Sequence, residues 1–213
     1  MEVSSISDYE IINEFSDFSF PSFYYNLSDK KFYFKGFSLE IGSVSFVTGE
    51  KRSGKSLFLK SLVGLVCPSE KPDDRKFLTY DIVYKPEKID PKYCGTLRDF
   101  IISRKFSSNF LSLIREFDMV RLLDSNISDM TPEEKQILSF IIFINTDGII
   151  YIFDYVDESI SYEKRKKIIS VFKNFCENGN KIGLIVENND SLIGINNRYS
   201  ITQFGENEFL GGM

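Results

Sequence analysis

An α/β fold with a mostly parallel core sheet follows from three features of this 213-residue chain. The phosphate-loop pattern "GEKRSGKS" (49–56) stands between a strand-like run and a helix-like one. The apolar run "GIIYIFD" (148–154) ends on an acid, Asp154. Strand-like and helix-like segments then alternate through the second half, the pattern of a parallel sheet covered on both faces.

Taken in chain order, residues 18–48 carry short alternating apolar segments, "KFYFKGFSLEIG" and "SVSFVT". These predict a small antiparallel β layer leading into a buried strand. "KSLFLKSLVGLV" (55–66) predicts a helix whose apolar face is Leu57, Leu59, Leu62 and Val63, with Pro68 beyond its end. "TYDIVYK" (79–85) predicts a further strand. The stretch from Thr96 to Ser125 is helical in pattern, and "TPEEKQILSFIIFI" (131–144) is a helix with a clear start. Residues 161–179 form an amphipathic helix pattern, "KIGLIVEN" (181–188) a strand, and "YSITQFGENEFLGG" a final strand or hairpin. The chain is expected to be one domain over 1–213, with a helical subdomain at roughly 96–145 inserted into the sheet.

Composition narrows the chemistry. Histidine is absent, so the commonest general base is unavailable. The net charge of −5 gives no overall attraction to nucleic acid, so an RNA contact would need a local basic patch. Candidates are Lys85, Lys88, Lys92 and Arg98, and Lys164 to Lys167, with a solvated face as the plainer reading of each. Cys67, Cys94 and Cys176 have neither metal-site nor disulfide spacing. No run reaches the ~18 apolar residues of a membrane span, and "MEVSSISDYE" lacks signal-peptide character. A cytoplasmic setting with no membrane contact is expected.

The motif at 49–56 matches G-x-x-x-x-G-K-S/T at every fixed position. Its two glycines let successive N–H groups turn inward onto phosphate oxygens, and the following helix aims its positive end at the same anion. Lys55 would reach the β and γ phosphates, and Ser56 would offer its hydroxyl to Mg2+. Gly49, Glu50, Lys51, Arg52, Ser53, Gly54, Lys55 and Ser56 are therefore the candidate ATP site, with Lys51 and Arg52 adding positive charge. The alternative is a glycine-containing strand-to-helix turn with a surface lysine. Asp154 is the matching acid on the Mg2+ side; otherwise it is a turn acid after a buried strand.

In this order the motifs resemble an ABC-type ATPase domain, and "IVYKPEKIDPKYCGTLRDFI" (82–101) is similar to the second nucleotide-binding domain of the ribosome-recycling RNase L inhibitor family. "FPSF" (20–23), "GIIYIFD", "YEKRKK" and "GLIVEN" fall in the order that family shows. The resemblance spans about 18–204. It implies a P-loop NTPase fold of ABC ATPase type, ATP and Mg2+ as cofactors, and the ribosome or ribosome-associated factors as partners. It places Phe20 where an aromatic stacks on adenine, although a core strand aromatic is an equal reading. It places Glu87 where a glutamine senses Mg2+ and water, so the expected metal-side set is Ser56, Glu87 and Asp154.

The same resemblance exposes losses. Tyr155 stands at the catalytic glutamate, Asn188 at the switch histidine and Ser161 at the aspartate of the coupling loop. A phenol with a pKa near ~10 is a poor base at neutral pH. Met130-Thr131-Pro132-Glu133-Glu134 replaces Leu-Ser-Gly-Gly-Glu, the loop that clasps a phosphate held by an opposite domain. Here Thr131, Pro132 and Glu134 instead predict an N-cap, N1 and N3 set, a capping box. The expectation is a domain that binds ATP, hydrolyses it slowly or not at all, forms no ATP-driven homodimer and has no assigned catalytic residue. Two alternatives stay open: a slow ATPase in which Asp157 or Glu158 positions water, and the ATP-binding subunit of a transporter.

Overall fold

A computed structural model describes residues 17–20, 22–27, 30–34, 36–49, 53–66, 81–85, 95–104, 108–154, 159–186, 198–201 and 207–210. Ten strands are present among them: β1 (Asp17–Phe20), β2 (Phe23–Leu27), β3 (Lys30–Phe34), β4 (Phe37–Glu40), β5 (Val44–Thr48), β6 (Ile82–Lys85), β7 (Ile150–Phe153), β8 (Ile182–Val186), β9 (Arg198–Ile201) and β10 (Asn207–Leu210). The helices are α1 (Lys55–Leu62), α2 (Leu97–Arg104), α3 (Ser108–Glu116), α4 (Pro132–Ile144) and α5 (Tyr162–Gly179).

The core sheet has the order β10-β9-β5-β8-β7-β6. Pairing from β9 through to β6 is parallel, and β10 closes the other end antiparallel to β9. The N-terminal strands make two small antiparallel pairs, β1 with β4 and β2 with β3.

Full burial of β5, β7 and β8 explains why their sequences read as continuous apolar runs rather than alternating ones. The period of two still sorts their side chains between two cores. Val47, Ile150, Ile152 and Leu184 pack with α1 and the antiparallel layer around Phe34, Phe37 and Phe58. Phe46, Tyr151, Phe153 and Ile185 pack on the opposite side against α4 and α5. α4 is apolar nearly all round because it is wedged into that second core, where Phe140 and Phe143 meet Phe153.

Two predicted helices end differently from their apolar pattern. The helix expected over 55–66 stops at Leu62, and Gly64 follows at φ 70. Its buried apolar residues are Phe58, Leu59 and Leu62, while Leu57 and Val63 are only partly buried. The helical stretch 96–125 divides into α2, α3 and a 3-10 turn at Val120–Leu122, with Asp118 at φ 56 between the last two. A non-glycine residue in the left-handed region interrupts helical geometry there.

The expected capping box is present at α4. Glu134 N–H donates to Thr131 Oγ1 at 3.2 Å, and Thr131 N–H donates to Glu134 Oε2 at 2.9 Å, with Pro132 in the first turn. Loss of such a cap costs about 1 kcal/mol, so Thr131→Ala is expected to lower unfolding stability by that amount in urea titrations. An unchanged midpoint would mean that the box does not hold the helix.

Candidate functional site

The loop from β5 into α1 needs its glycines. Gly49 has φ 145 and Gly54 φ 98, both in the region where a Cβ strains the backbone. Gly54 is also the N-cap of α1, and no side chain caps that helix. The N-terminal N–H groups of α1 therefore face the loop, an arrangement that suits an anion. Ser53 Oγ is buried and has no hydrogen-bond partner among the described residues.

Lys55 is 8% exposed, and its Nζ donates to Gly49 O at 2.7 Å. Burial holds its pKa below the ordinary value, with the charge of Asp154 acting in the opposite direction. A desolvated cation of this kind gains from a bound anion more than an exposed lysine does.

Ser56, at the start of α1, meets Asp154, at the end of β7. Its hydroxyl donates to Asp154 Oδ1 at 3.1 Å across 98 residues of sequence. Tyr84, on β6, donates its hydroxyl to Asp154 Oδ2 at 2.9 Å. Asp154 is 3% exposed, and its backbone N–H donates to Lys85 O at 2.9 Å. Three elements thus converge on one carboxylate. A serine hydroxyl and a carboxylate are hard oxygen donors, and they fit Mg2+.

Phe20 is 3% exposed, and its ring stacks on Phe37 at 4.9 Å within the core beside α1. This is the core-aromatic alternative. Glu50, Lys51, Arg52, Glu87, Tyr155, Asp157, Glu158 and Asn188 lie outside the described residues.

Lys85 corrects one expectation. Placed among surface lysines by its sequence neighbours, it is 2% exposed: its Nζ donates to Gln136 Oε1 at 3.0 Å and lies 4.6 Å from the Phe153 ring centre. α4 covers this end of β6 and supplies the glutamine. Arg98 is occupied by Asp124 at 2.8 Å and Lys164 by Glu133 at 2.9 Å. Tyr84 went unassigned in the sequence because its role depends on the register of β6 against β7, which pairs it with Ile152.

At α4 the two glutamates are internally committed. Glu134 accepts from Arg121 Nη2 at 2.7 Å as well as from Thr131. Glu133 accepts from Ser161 N–H at 3.1 Å and from Lys164 Nζ at 2.9 Å, which ties the start of α4 to the start of α5. Burial pushes the Glu133 carboxyl up, but bonds from Lys164 and Ser161 outweigh it and leave the pKa below the ordinary 4.5. The Thr131 N–H and, with burial opposing, Arg121 hold Glu134 below 4.5. Depressed carboxyls contribute stability above their unfolded pKa and lose it as pH falls through the folded values. This contribution is therefore expected to fade below about pH 4.5, and Glu134→Gln to flatten that acid limb in melts run at stepped pH.

No family model matches the chain. It is 27% identical over 181 residues to an "Uncharacterized ABC transporter ATP-binding protein" of Methanocaldococcus jannaschii, covering 82% of this chain and 29% of that protein. It is 25% identical over 176 residues to translation initiation factor RLI1 of Saccharomyces cerevisiae, covering 80% of this chain and 28% of that protein. The chain thus spans less than a third of the length of these relatives. Among solved structures, the RNase-L Inhibitor superposes with a TM-score of 0.70 at 21% identity, covering 79% of this chain and 33% of its own. ABCE1 in a model of ribosome-bound archaeal Pelota and ABCE1 gives a TM-score of 0.73 at 25% identity, covering 85% and 31%. The fold is that of an ABC ATPase domain, and the chain's homologues include members of the RNase L inhibitor family.

Proposed function

We propose that this chain is an ATP- and Mg2+-binding ABC domain that serves translation as a binding module and hydrolyses its nucleotide slowly or not at all. The observation that carries nucleotide binding is the meeting of Lys55, Ser56 and Asp154 beside a loop whose glycines are in the left-handed region. Lys55 holds phosphate charge in a site that water reaches poorly, the N-terminus of α1 adds oriented N–H groups, and Ser56 and Asp154 hold the metal. Bound Mg2+ supplies neutralisation of phosphate charge. Phe20 serves the core in this arrangement, and Glu87 is a further metal-side candidate by resemblance.

Impaired hydrolysis rests on Tyr155 and Asn188 in the sequence and on the start of α4 in the structure. There the Thr131 and Glu134 N–H groups are spent within the capping box, and Pro132 has none. Glu133 and Glu134 are engaged there by Lys164 and Arg121, so the cations nearest the start of α4 are already paired with carboxylates rather than offered to a phosphate of a second copy. ATP-driven pairing of two copies is therefore not part of the proposal.

The translation setting is carried by similarity to RLI1 and to ribosome-bound ABCE1. Among the described residues no helix is long and apolar enough to cross a membrane. In sedimentation of native lysate, the chain is expected to travel with ribosomal particles in the presence of ATP and less so without it. The purified chain is expected to sediment as the same species with and without ATP. Absence from every ribosomal fraction would remove the partner assignment, and an ATP-dependent dimer would overturn the reading of α4.

A further inference from the structure

We infer that Tyr84 is the specificity-determining residue of the cation site and that it selects Mg2+ over Ca2+. The inference deepens the nucleotide-site reading and rests on it. The two oxygens of Asp154 are used differently. Oδ2 accepts from the Tyr84 hydroxyl at 2.9 Å, and Oδ1 accepts from the Ser56 hydroxyl at 3.1 Å. The two donors are not equivalent towards a cation. A serine hydroxyl turns about one bond and can offer its lone pairs to a metal that takes Oδ1. The Tyr84 hydroxyl is carried on a rigid ring from β6, which is fixed to β7 by parallel pairing over Ile82–Lys85. The backbone N–H of Asp154, bonded to Lys85 O, pins the carboxylate's own chain to the same strand.

Oδ2 is therefore held by the protein, and a cation is left with one carboxylate oxygen, Oδ1, whose present donor, the Ser56 hydroxyl, can turn its proton away. Mg2+ needs few protein ligands, keeps several waters and demands near-octahedral geometry, so one oxygen from Asp154 and one from Ser56 suit it. Ca2+ takes more oxygens and accepts carboxylates in the bidentate mode, which the Tyr84 bond closes off at Asp154. Hydrogen bonds to a ligating carboxylate also fix its orientation, and their removal lowers metal affinity by about 10–100-fold.

The test titrates the full chain with Mn2+, followed by water-proton relaxation, with Mg2+ and Ca2+ as competitors, in the presence and absence of ATP. Wild type is expected to release Mn2+ to Mg2+ in preference to Ca2+. Tyr84→Phe removes a single oxygen and is expected to weaken Mg2+ competition by about 10-fold or more, with Ca2+ affected less, so the preference narrows. An unchanged preference in a variant that melts like wild type in chelator overturns the inference. So does a wild type that accepts Ca2+ as readily as Mg2+, whatever the variant does. ATP binding by wild type and Lys55→Ala, read separately, locates a failure. Discrimination lost with ATP binding intact removes the role of Tyr84 alone. Discrimination kept without ATP binding removes the nucleotide reading alone. No cation binding in either condition removes both.

Discussion

Replacing Lys55 with alanine is expected to weaken MgATP binding by about 10- to 150-fold, the loss that follows from one charged hydrogen bond of about 1.5–3 kcal/mol. The side chain is buried, its pKa is lowered by that burial, and its Nζ rests on Gly49 O. The charge of Asp154 acts on this desolvated cation from the metal side of the site, and a bound phosphate would add a second anionic partner. The protein should fold without it, since alanine removes a desolvated cation rather than core packing. Isothermal titration measures the affinity directly. Thermal shift gives a second view, because ATP at 100 times its Kd adds about 2.7 kcal/mol to native stability and the variant should lose most of that gain. Equal affinity in wild type and variant would mean that the loop is a plain strand-to-helix turn.

Phosphate release from MgATP is expected to run about 10²–10⁴-fold slower than in an ABC domain with a carboxylate at position 155, the usual contribution of a general base. Tyr155→Glu is expected to leave the rate near that background. The new carboxylate would meet a site whose other parts remain altered: Asn188 is unchanged, and the start of α4 stays closed by Thr131, Glu134 and the Glu133–Lys164 pair. Stopped-time phosphate assays on both proteins decide it. Robust wild-type turnover that scales with protein concentration would end the slow-hydrolysis proposal, and full rescue by the single change would show that Tyr155 alone limits the rate.

What was legible in the sequence was what nearby residues decide. The capping box spans Thr131 to Glu134, so its donors and acceptors meet as soon as the helix forms, and its bonds could be named before the structure. The loop at 49–56 is similar, because its glycines mark left-handed backbone locally. The run ending at Asp154 announced a strand buried on both faces. What was not legible depends on register and on coverage by distant elements. Lys85 sits among lysines in the sequence yet is roofed by α4, and its partner Gln136 is 51 residues away. Tyr84 meets Asp154 only through the β6–β7 register. The alternation around Phe20 marked a strand but could not say that Phe37 would stack on its ring. The split of 96–125 turned on one left-handed residue, Asp118, which apolar periodicity does not report.

The strand order has a consequence for when the site comes into being. Ser56 follows β5 and Asp154 ends β7, but the strand between them in the sheet is β8, which is made later than either. During synthesis, a growing chain that has passed Asp154 can pair β6 with β7 and bring Tyr84 to the carboxylate, but it still has no frame to bring Ser56 to them. Only when Ile182–Val186 slots between the two earlier strands does the gap close, after a long and entropically slow pairing. Under the proposed function, nucleotide capture would in that sense report the insertion of β8: the ligand would reward the joining of the sheet's two halves rather than guide the pairing of its first strands.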